Sequence, residues 1–210
     1  MASRRITTPI FRVSFPNLID PKEDDNGNWS YGLSMIFEPD TDFTEMKNLF
    51  NEVVQEKWKG SPPKVGVISP FRRGEWKSQA YPQGFDLDKR PEYTGKVIVS
   101  ARAYTDKLSS GVFDLSKRPG IVGPDPKAPF DPVNNPADTV YSGMYARAEI
   151  SMYVPRYGDP RVAVGLHNVQ KCYDGERLSG GNARPEDVFD TFMVPDAEGN
   201  NADLLDLSGI

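Results

Sequence analysis

Histidine and cysteine are almost missing from these 210 residues, His167 and Cys172 being the single examples of each. One cysteine cannot close an internal disulfide, and with one histidine it cannot build a Cys/His zinc site, so both are expected to be ordinary strand residues. No metal or other cofactor is expected. Long apolar runs are missing too. The longest, at 97–99 and 162–166, fall far short of the ~20 residues that span a bilayer, so no membrane segment is expected. The first five residues carry two basic groups, Arg4 and Arg5, but Ile6, Thr7, Thr8 and Pro9 follow instead of an apolar stretch. Neither a secretory nor a twin-arginine signal is supported, and the expected location is the cytoplasm. Phosphate-binding glycine loops, nucleophile elbows and HExxH helices are absent, which argues against ATPase, hydrolase and protease chemistry.

What is abundant points towards β structure. The 19 Pro and 18 Gly imply many turns and long loops, while 11 Phe, 9 Tyr and 3 Trp supply a core. The length fits one sizeable domain with appendages. Charge divides the chain at its end. After Arg184 there is no Lys or Arg, only Glu186, Asp187, Asp190, Asp196, Glu198, Asp203 and Asp206. Residues 1–185 hold 25 basic and 23 acidic groups, net +2, and residues 186–210 carry −7. The expected organisation is a folded domain over 1–185 and a flexible acidic tail over 186–210. The tail ends in a group of acids and aliphatics, Asp203, Leu204, Leu205, Asp206, Leu207 and Ile210. Spaced aliphatics among acids suit docking into a basic, apolar groove on a partner.

Within the body, residues 6–15 alternate loosely and read as a first strand closed by a turn at Pro16. Residues 20–28 are turn chemistry. Residues 29–37 put Trp29, Tyr31, Leu33, Met35 and Phe37 on one face at period two, a second strand with one buried side. From 42 to 58 the period lengthens, with Phe43, Met46, Phe50, Val53, Val54 and Trp58 at spacings of three and four, and Asp42 with Glu45 makes a capping pair. This is the one expected helix. Residues 93–105, 141–154 and 162–172 read as strands three, four and five. Between strands three and four, residues 118–138 contain six prolines, which predicts an extended loop.

The chemistry is suggested by the polar sides of the strands. Along the fourth, Met144, Ala146, Ala148, Ile150, Met152 and Val154 share one side, opposed by Tyr141, Tyr145, Arg147, Glu149, Ser151 and Tyr153. Along the third, Val97, Val99, Ala101 and Ala103 oppose Ile98, Ser100, Arg102 and Tyr104. Aromatic and basic groups therefore share the outer sides. That combination suits non-specific binding of single-stranded DNA, because bases stack on rings while guanidinium groups neutralise phosphates. Tyrosines also form good cross-strand pairs, a packing role that needs no ligand but leaves Arg102 and Arg147 unexplained. A second basic and aromatic cluster, with Phe71, Arg72, Arg73, Trp76, Lys77 and Tyr81, follows the helix in a Gly/Pro-rich connection.

The order strand, strand, helix, strand, strand, strand, with Tyr and Arg on the barrel and an acidic tail, resembles the single-stranded DNA-binding proteins of T7-like phages. More closely, the blocks SFPNL (14–18), YSGMYARAEI (141–150) and VGLHNVQKCYDGERLSGG (164–181) look like a family of tailed-phage single-strand binders, formerly a domain of unknown function. The resemblance implies a mainly β, five-stranded OB barrel with its helix between strands two and three, and DNA wrapped across the barrel. It also implies a removable tail that recruits phage or host replication and recombination proteins. Ile210 ends the chain where the better-known binders commonly end in an aromatic.

Two other classes compete. Pro39-Asp40 with Glu75-Trp76-Lys77 spells a loose PD…ExK pattern, and a metal-dependent nuclease would use such carboxylates to hold Mg²⁺ and the lysine to assist water. Asp40 also precedes a helix, where an acid serves the helix itself. A virion structural module is the third reading, since a barrel with proline-rich loops needs no nucleic acid.

Overall fold

In the computed structural model, which describes residues 4–59, 61, 63–64, 66–80, 85–135 and 138–178, the expected first strand is two. β1 (Arg5–Thr7) and β2 (Phe11–Glu23) line the same edge of one neighbour and are separated at Pro9. Pro9 has no N–H to give the ladder. Thr8 fills the gap: its amide donates to the Ala148 carbonyl and its buried Oγ1 accepts from the Ala148 amide. β2 also runs past Pro16 instead of turning there. Phe15 takes a left-handed backbone (φ 48°) and the register with the next strand slips between Ser14 and Asn17, so the proline sits in a bulge. The turn comes later, where the Asp24 carboxylate accepts from the amides of Asn26 and Asn28.

β3 (Trp29–Phe37) pairs along its whole length with β5 (Val97–Thr105), and between them lies α1 (Thr44–Trp58). Asp42 caps this helix from two residues ahead, its Oδ1 accepting the Thr44 amide, while Glu45 pairs with Arg4 instead of completing a capping box. β4 (Arg72–Arg73), the short α2 (Trp76–Ala80) and a 3-10 turn (Pro91–Tyr93) fill the connection to β5. After β5 come a 3-10 turn (Leu115–Lys117), β6 (Gly120–Val122), β7 (Tyr145–Tyr153) and β8 (Ala163–Tyr173). β6 was expected to be loop. It is three residues paired in parallel with β8, and Pro119, standing just before it, needs no ladder bond of its own.

β2 pairs β3, β3 pairs β5, β5 pairs β8 in parallel, β8 pairs β7, and β7 returns to β2. Five strands thus close into a barrel with one parallel pairing, the OB arrangement, and α1 stands between its second and third strands as the sequence predicts. Inside are Phe11, Val13, Leu33, Met35, Val99, Met144, Ile150 and Met152, with Phe43, Met46 and Leu49 bringing α1 onto the core. A second, smaller cluster of Ile36, Phe85, Tyr93, Ile98 and Leu178 lies apart from it. Consequently β3 is buried along both sides, and Ile98, expected on an outer polar side, is 2% exposed. The alternation in these two strands marks the barrel interior but conceals the second layer over them.

Candidate nucleic-acid interface

Outside the barrel, β5, β7 and β8 form the floor of a groove of about 610 Å³, closed at its margins by β1 and by the segment from Ser116 to Gly120. Among the described residues, four cations line it, Arg5, Arg102, Lys117 and Arg118, together with Tyr104 and Tyr153, while Asp24 stands 3.8 Å from Arg102 and Glu149 3.4 Å from Arg5. Parity within the strands explains why the β5 and β7 residues meet there. Arg102 and Tyr104 are two apart on β5, Ser151 and Tyr153 two apart on β7, and β8 between them contributes Gly165 and His167 by the same rule. Gly32 on β3 makes room for Arg102. A Cβ there would stand 2.8 Å from the Ala101 carbonyl and 3.3 Å from the arginine's Cγ, so only glycine lets the arginine stem lie across the strand.

The electrostatics favour an anion. Arg102 has an acidic neighbour only at 3.8 Å, Asp24, whose carboxyl is held below the usual range mainly by the Asn28 amide. At that length, with the arginine half exposed, the pair contributes little and is readily exchanged for a phosphate. Tyr153 is half-buried, and its phenol is pushed up by burial first and by neighbouring Tyr104, with Arg161 and Arg102 opposing. The ring therefore stays neutral and keeps a π face available. Tyr104 is 49% exposed. Beside it, at the start of β3, Trp29 packs against Phe113 with ring centroids 4.7 Å apart, and Lys107 lies 5.9 Å from each ring.

Other residues singled out from the sequence lie elsewhere. Tyr145 and Arg147 occupy the opposite end of β7: Tyr145 stacks on Tyr173 (4.7 Å, 24°), and Arg147 donates through Nε to Gln170 at 2.7 Å. Tyr141 is not on the outer side at all. It is 5% exposed, its hydroxyl donates to Asp174 at 2.8 Å and accepts from the Gly175 amide, and Arg177 covers its ring at 4.4 Å. The strand begins only at Tyr145, and the preceding turn, with Gly143 at φ 114°, removes the parity on which that assignment rested.

The cluster after the helix is likewise structural in large part. Phe71 meets Phe43 and Phe50 edge to face. Arg72 lies 4.9 Å over Trp76, and Arg72 with Arg73 forms β4 against β5. Lys77 points into the second layer: its ammonium donates to Ser34 and to the Tyr93 hydroxyl, and lies 4.5–5.5 Å from the rings of Phe15, Tyr93 and Phe85. Burial, and secondarily Arg90, bring it down to about 8. Lys77 is therefore not an outward-facing phosphate contact. In the PD…ExK pattern, Glu75 accepts the Gly95 amide, so both charged members of its ExK half, Glu75 and Lys77, are engaged within the fold. The tail residues Asp203, Leu204, Leu205, Asp206, Leu207 and Ile210 lie outside the described residues.

Sequence reasoning missed Arg5, Lys117, Arg118 and His167. The first three lie in short segments without a period, and His167 was expected to be an ordinary strand residue. The signal that could have found them is the pairing of β1 with β7 and of β6 with β8, which no local pattern encodes.

A family model described as "Enterobacter phage Enc34, ssDNA-binding protein" matches residues 4–204. Among solved structures, the single-stranded DNA-binding protein from bacteriophage Enc34 in complex with ssDNA is similar at 20% identity and a TM-score of 0.59, over 83% of this chain and 89% of that one. The same phage protein with a C-terminal truncation is similar at 23% identity and a TM-score of 0.57, over 82% and 87%. The single-stranded DNA-binding protein gp2.5 encoded by bacteriophage T7 is similar at 12% identity and a TM-score of 0.53, over 97% and 99%. Each is described as a binding protein, none as an enzyme. No curated protein matches the chain in sequence.

Proposed function

The chain belongs to that family, and from this premise we propose that it binds single-stranded DNA in the groove between β5, β7 and β8, without strong sequence preference. The observation that carries the reading is a groove in which four cations and two tyrosines meet, with no acid among its described lining residues. Rings offer stacking surfaces to any base, and the cations neutralise phosphates whatever the sequence. The complex of the Enc34 relative with ssDNA supports it. In this reading the protein acts in phage DNA replication and recombination within the host cytoplasm. Residues 186–210, with seven acids, compete with DNA for the groove and, when displaced, recruit replication or recombination proteins through Leu204, Leu205, Leu207 and Ile210.

Fluorescence anisotropy on single-stranded and duplex oligonucleotides across a salt series tests the reading. Single strands are expected to bind more tightly, with affinity falling by roughly 0.7 log unit per log unit of salt for each phosphate neutralised. Equal affinity for the duplex at matched salt overturns it. Removing residues 186–210 is expected to tighten binding at low salt and to matter less as salt screens the tail. A truncated chain that binds more weakly, or a difference that grows with salt, overturns the competition.

A further inference from the structure

The chain's single histidine lies in the groove. His167 Nε2 stands 2.8 Å from the Ser151 hydroxyl on β7, and Nδ1 makes no hydrogen bond among the described residues. Gly165, opposite Ser151 in the ladder, makes space for this contact, since a Cβ there would sit 2.8 Å from Ser151 Oγ. The charged groups around the ring come from every neighbouring element: Arg5 from β1, Glu149 from β7, Arg102 from β5, and Lys117 with Arg118 from the segment leading into β6, with the phenols of Tyr104 and Tyr153 alongside. Glu149 is already engaged, by Arg5 at 3.4 Å and by the Asn168 amide at 2.6 Å. Among the described residues, the cations around the ring outnumber this carboxylate.

Resting on the reading that single-stranded DNA occupies this groove, we propose that His167 with Ser151 is a phosphate contact, and that DNA binding takes up a proton at His167. In the free protein, burial first and then Arg5 hold the imidazole below its ordinary range, with Glu149 opposing. A phosphate arriving among these cations reverses the balance and favours the imidazolium. Where the neutral ring accepts the Ser151 proton at Nε2, protonation turns that bond round. The imidazolium then donates to Oγ, and the serine proton is released for a phosphate oxygen. The complex therefore holds more protons than the free chain, and affinity rises as pH falls through the interval between the two titrations.

The test uses the full chain and a rhodamine-labelled oligothymidylate, in which neither the bases nor the dye titrate near neutrality. From pH 8 to pH 5.5 at fixed ionic strength, affinity is expected to tighten by about three- to ten-fold, the effect of moving one group's titration by up to one unit. His167→Gln and Ser151→Ala are expected to flatten that dependence. In the unsubstituted chain, the single histidine ring resonance is expected to titrate at higher pH when the oligonucleotide is bound. A ring that titrates identically with and without DNA, or a His167→Gln protein that keeps the full pH dependence, overturns the proposal. Arg102→Ala on the same probe separates the two readings. If it weakens binding while the histidine is indifferent, the groove stands and this proposal falls. If neither Arg102 nor His167 responds although DNA binds, the groove reading falls as well.

Discussion

Cations and aromatic rings gather at two places on this barrel, and burial gives them opposite roles. Beneath α2, Lys77 and Arg90 lie against Phe15, Phe85 and Tyr93, and hydrogen bonds run from Lys77 to Ser34 and Tyr93 and from Tyr93 to Ser14. Farther along the same outer side of β5, Arg102 lies with Arg118, Tyr104 and Tyr153 in an open groove. The residue types match. The first set has its polar atoms paired with the protein itself, and in the second Arg102 has a carboxylate, Asp24, at 3.8 Å. A basic and aromatic cluster in a sequence therefore identifies a binding surface only if no further chain folds over it. Here residues 76–80 and 85–93 fold over one and leave the other open.

The largest effects should distinguish the two places by stability. Tyr93 is fully buried, so Tyr93→Ala is expected to cost about 3–5 kcal/mol in urea denaturation, by cavity formation and by loss of partners for Ser14 and Lys77. Tyr104→Ala, at a half-exposed ring, is expected to stay within about 0.5 kcal/mol of the unsubstituted protein. Comparable losses at both would break the contrast.

The covered cluster also has a pH signature. Lys77 titrates at about 8 in the folded chain, below an ordinary lysine, so between that value and about 10.4 the unfolded chain holds more protons and stability rises with pH. Tyr93 is pushed up to about 12, mainly by burial. Above about pH 10 the unfolded chain therefore loses the phenolic proton first, and stability falls again. Denaturation midpoints should pass through a maximum between these ranges. Lys77→Met should remove the rising limb, on the order of 1–3 kcal/mol after allowance for partial exposure, and a rise that survives would place its origin elsewhere.

In the groove the expected losses are in binding. Tyr153→Ala and Tyr104→Ala should each weaken single-stranded DNA by about 1–3 kcal/mol with the salt slope unchanged. Arg102→Ala should lower the slope by roughly 0.7. Lys77→Met should leave the slope alone, and a slope that falls with it would mean that the covered lysine reaches DNA after all.

How far these places could be read from the sequence depended on what lies next to each strand. In β7, Ala146, Ala148, Ile150 and Met152 are buried as their alternation predicts, as is Met144 just before the strand, because β7 has the core on one side and the groove on the other. In β3 the same alternation predicted one buried side and missed the other, since Ile36 and Ser34 are covered by residues distant in sequence. The helix and its place between barrel strands were legible because period 3.6 over α1 is a local property. Tyr141 was mis-sorted just beyond a strand end, where a glycine turn resets the parity. Arg118 and Lys117 reach the groove through β6, whose parallel pairing with β8 joins residues about fifty positions apart. Lys77 looked like a surface cation because the rings that enclose it come from β2, from Phe85 and from the turn before β5.

The smallest expected effect decides how far the DNA path extends. Tyr145 and Arg147 share the outer side of β7 with Tyr153, but four to six residues of strand, at about 3.3 Å each, separate Arg147 from the Ser151 and Tyr153 end. Their surroundings differ from the groove as well, since Tyr145 already stacks on Tyr173 and the Arg147 Nε is occupied by Gln170, which in turn donates to the carbonyls of Gly123 and Pro124. A nucleic acid that used this end would have to compete with these contacts, whereas among the described residues the groove cations are matched by Asp24 at 3.8 Å and by Glu149 at 3.4 Å. Arg147→Ala is therefore expected to lower the salt slope by less than Arg102→Ala does, and Tyr145→Ala to cost less affinity than Tyr153→Ala. Both comparisons are to be measured by anisotropy on oligonucleotides of increasing length. If the Arg147 and Tyr145 losses stay small at every length, the path is confined to the groove. If they grow to match Arg102 and Tyr153 on longer strands, DNA continues along the whole outer side of β7, and the Tyr145–Tyr173 pair is an opening stack that admits a base.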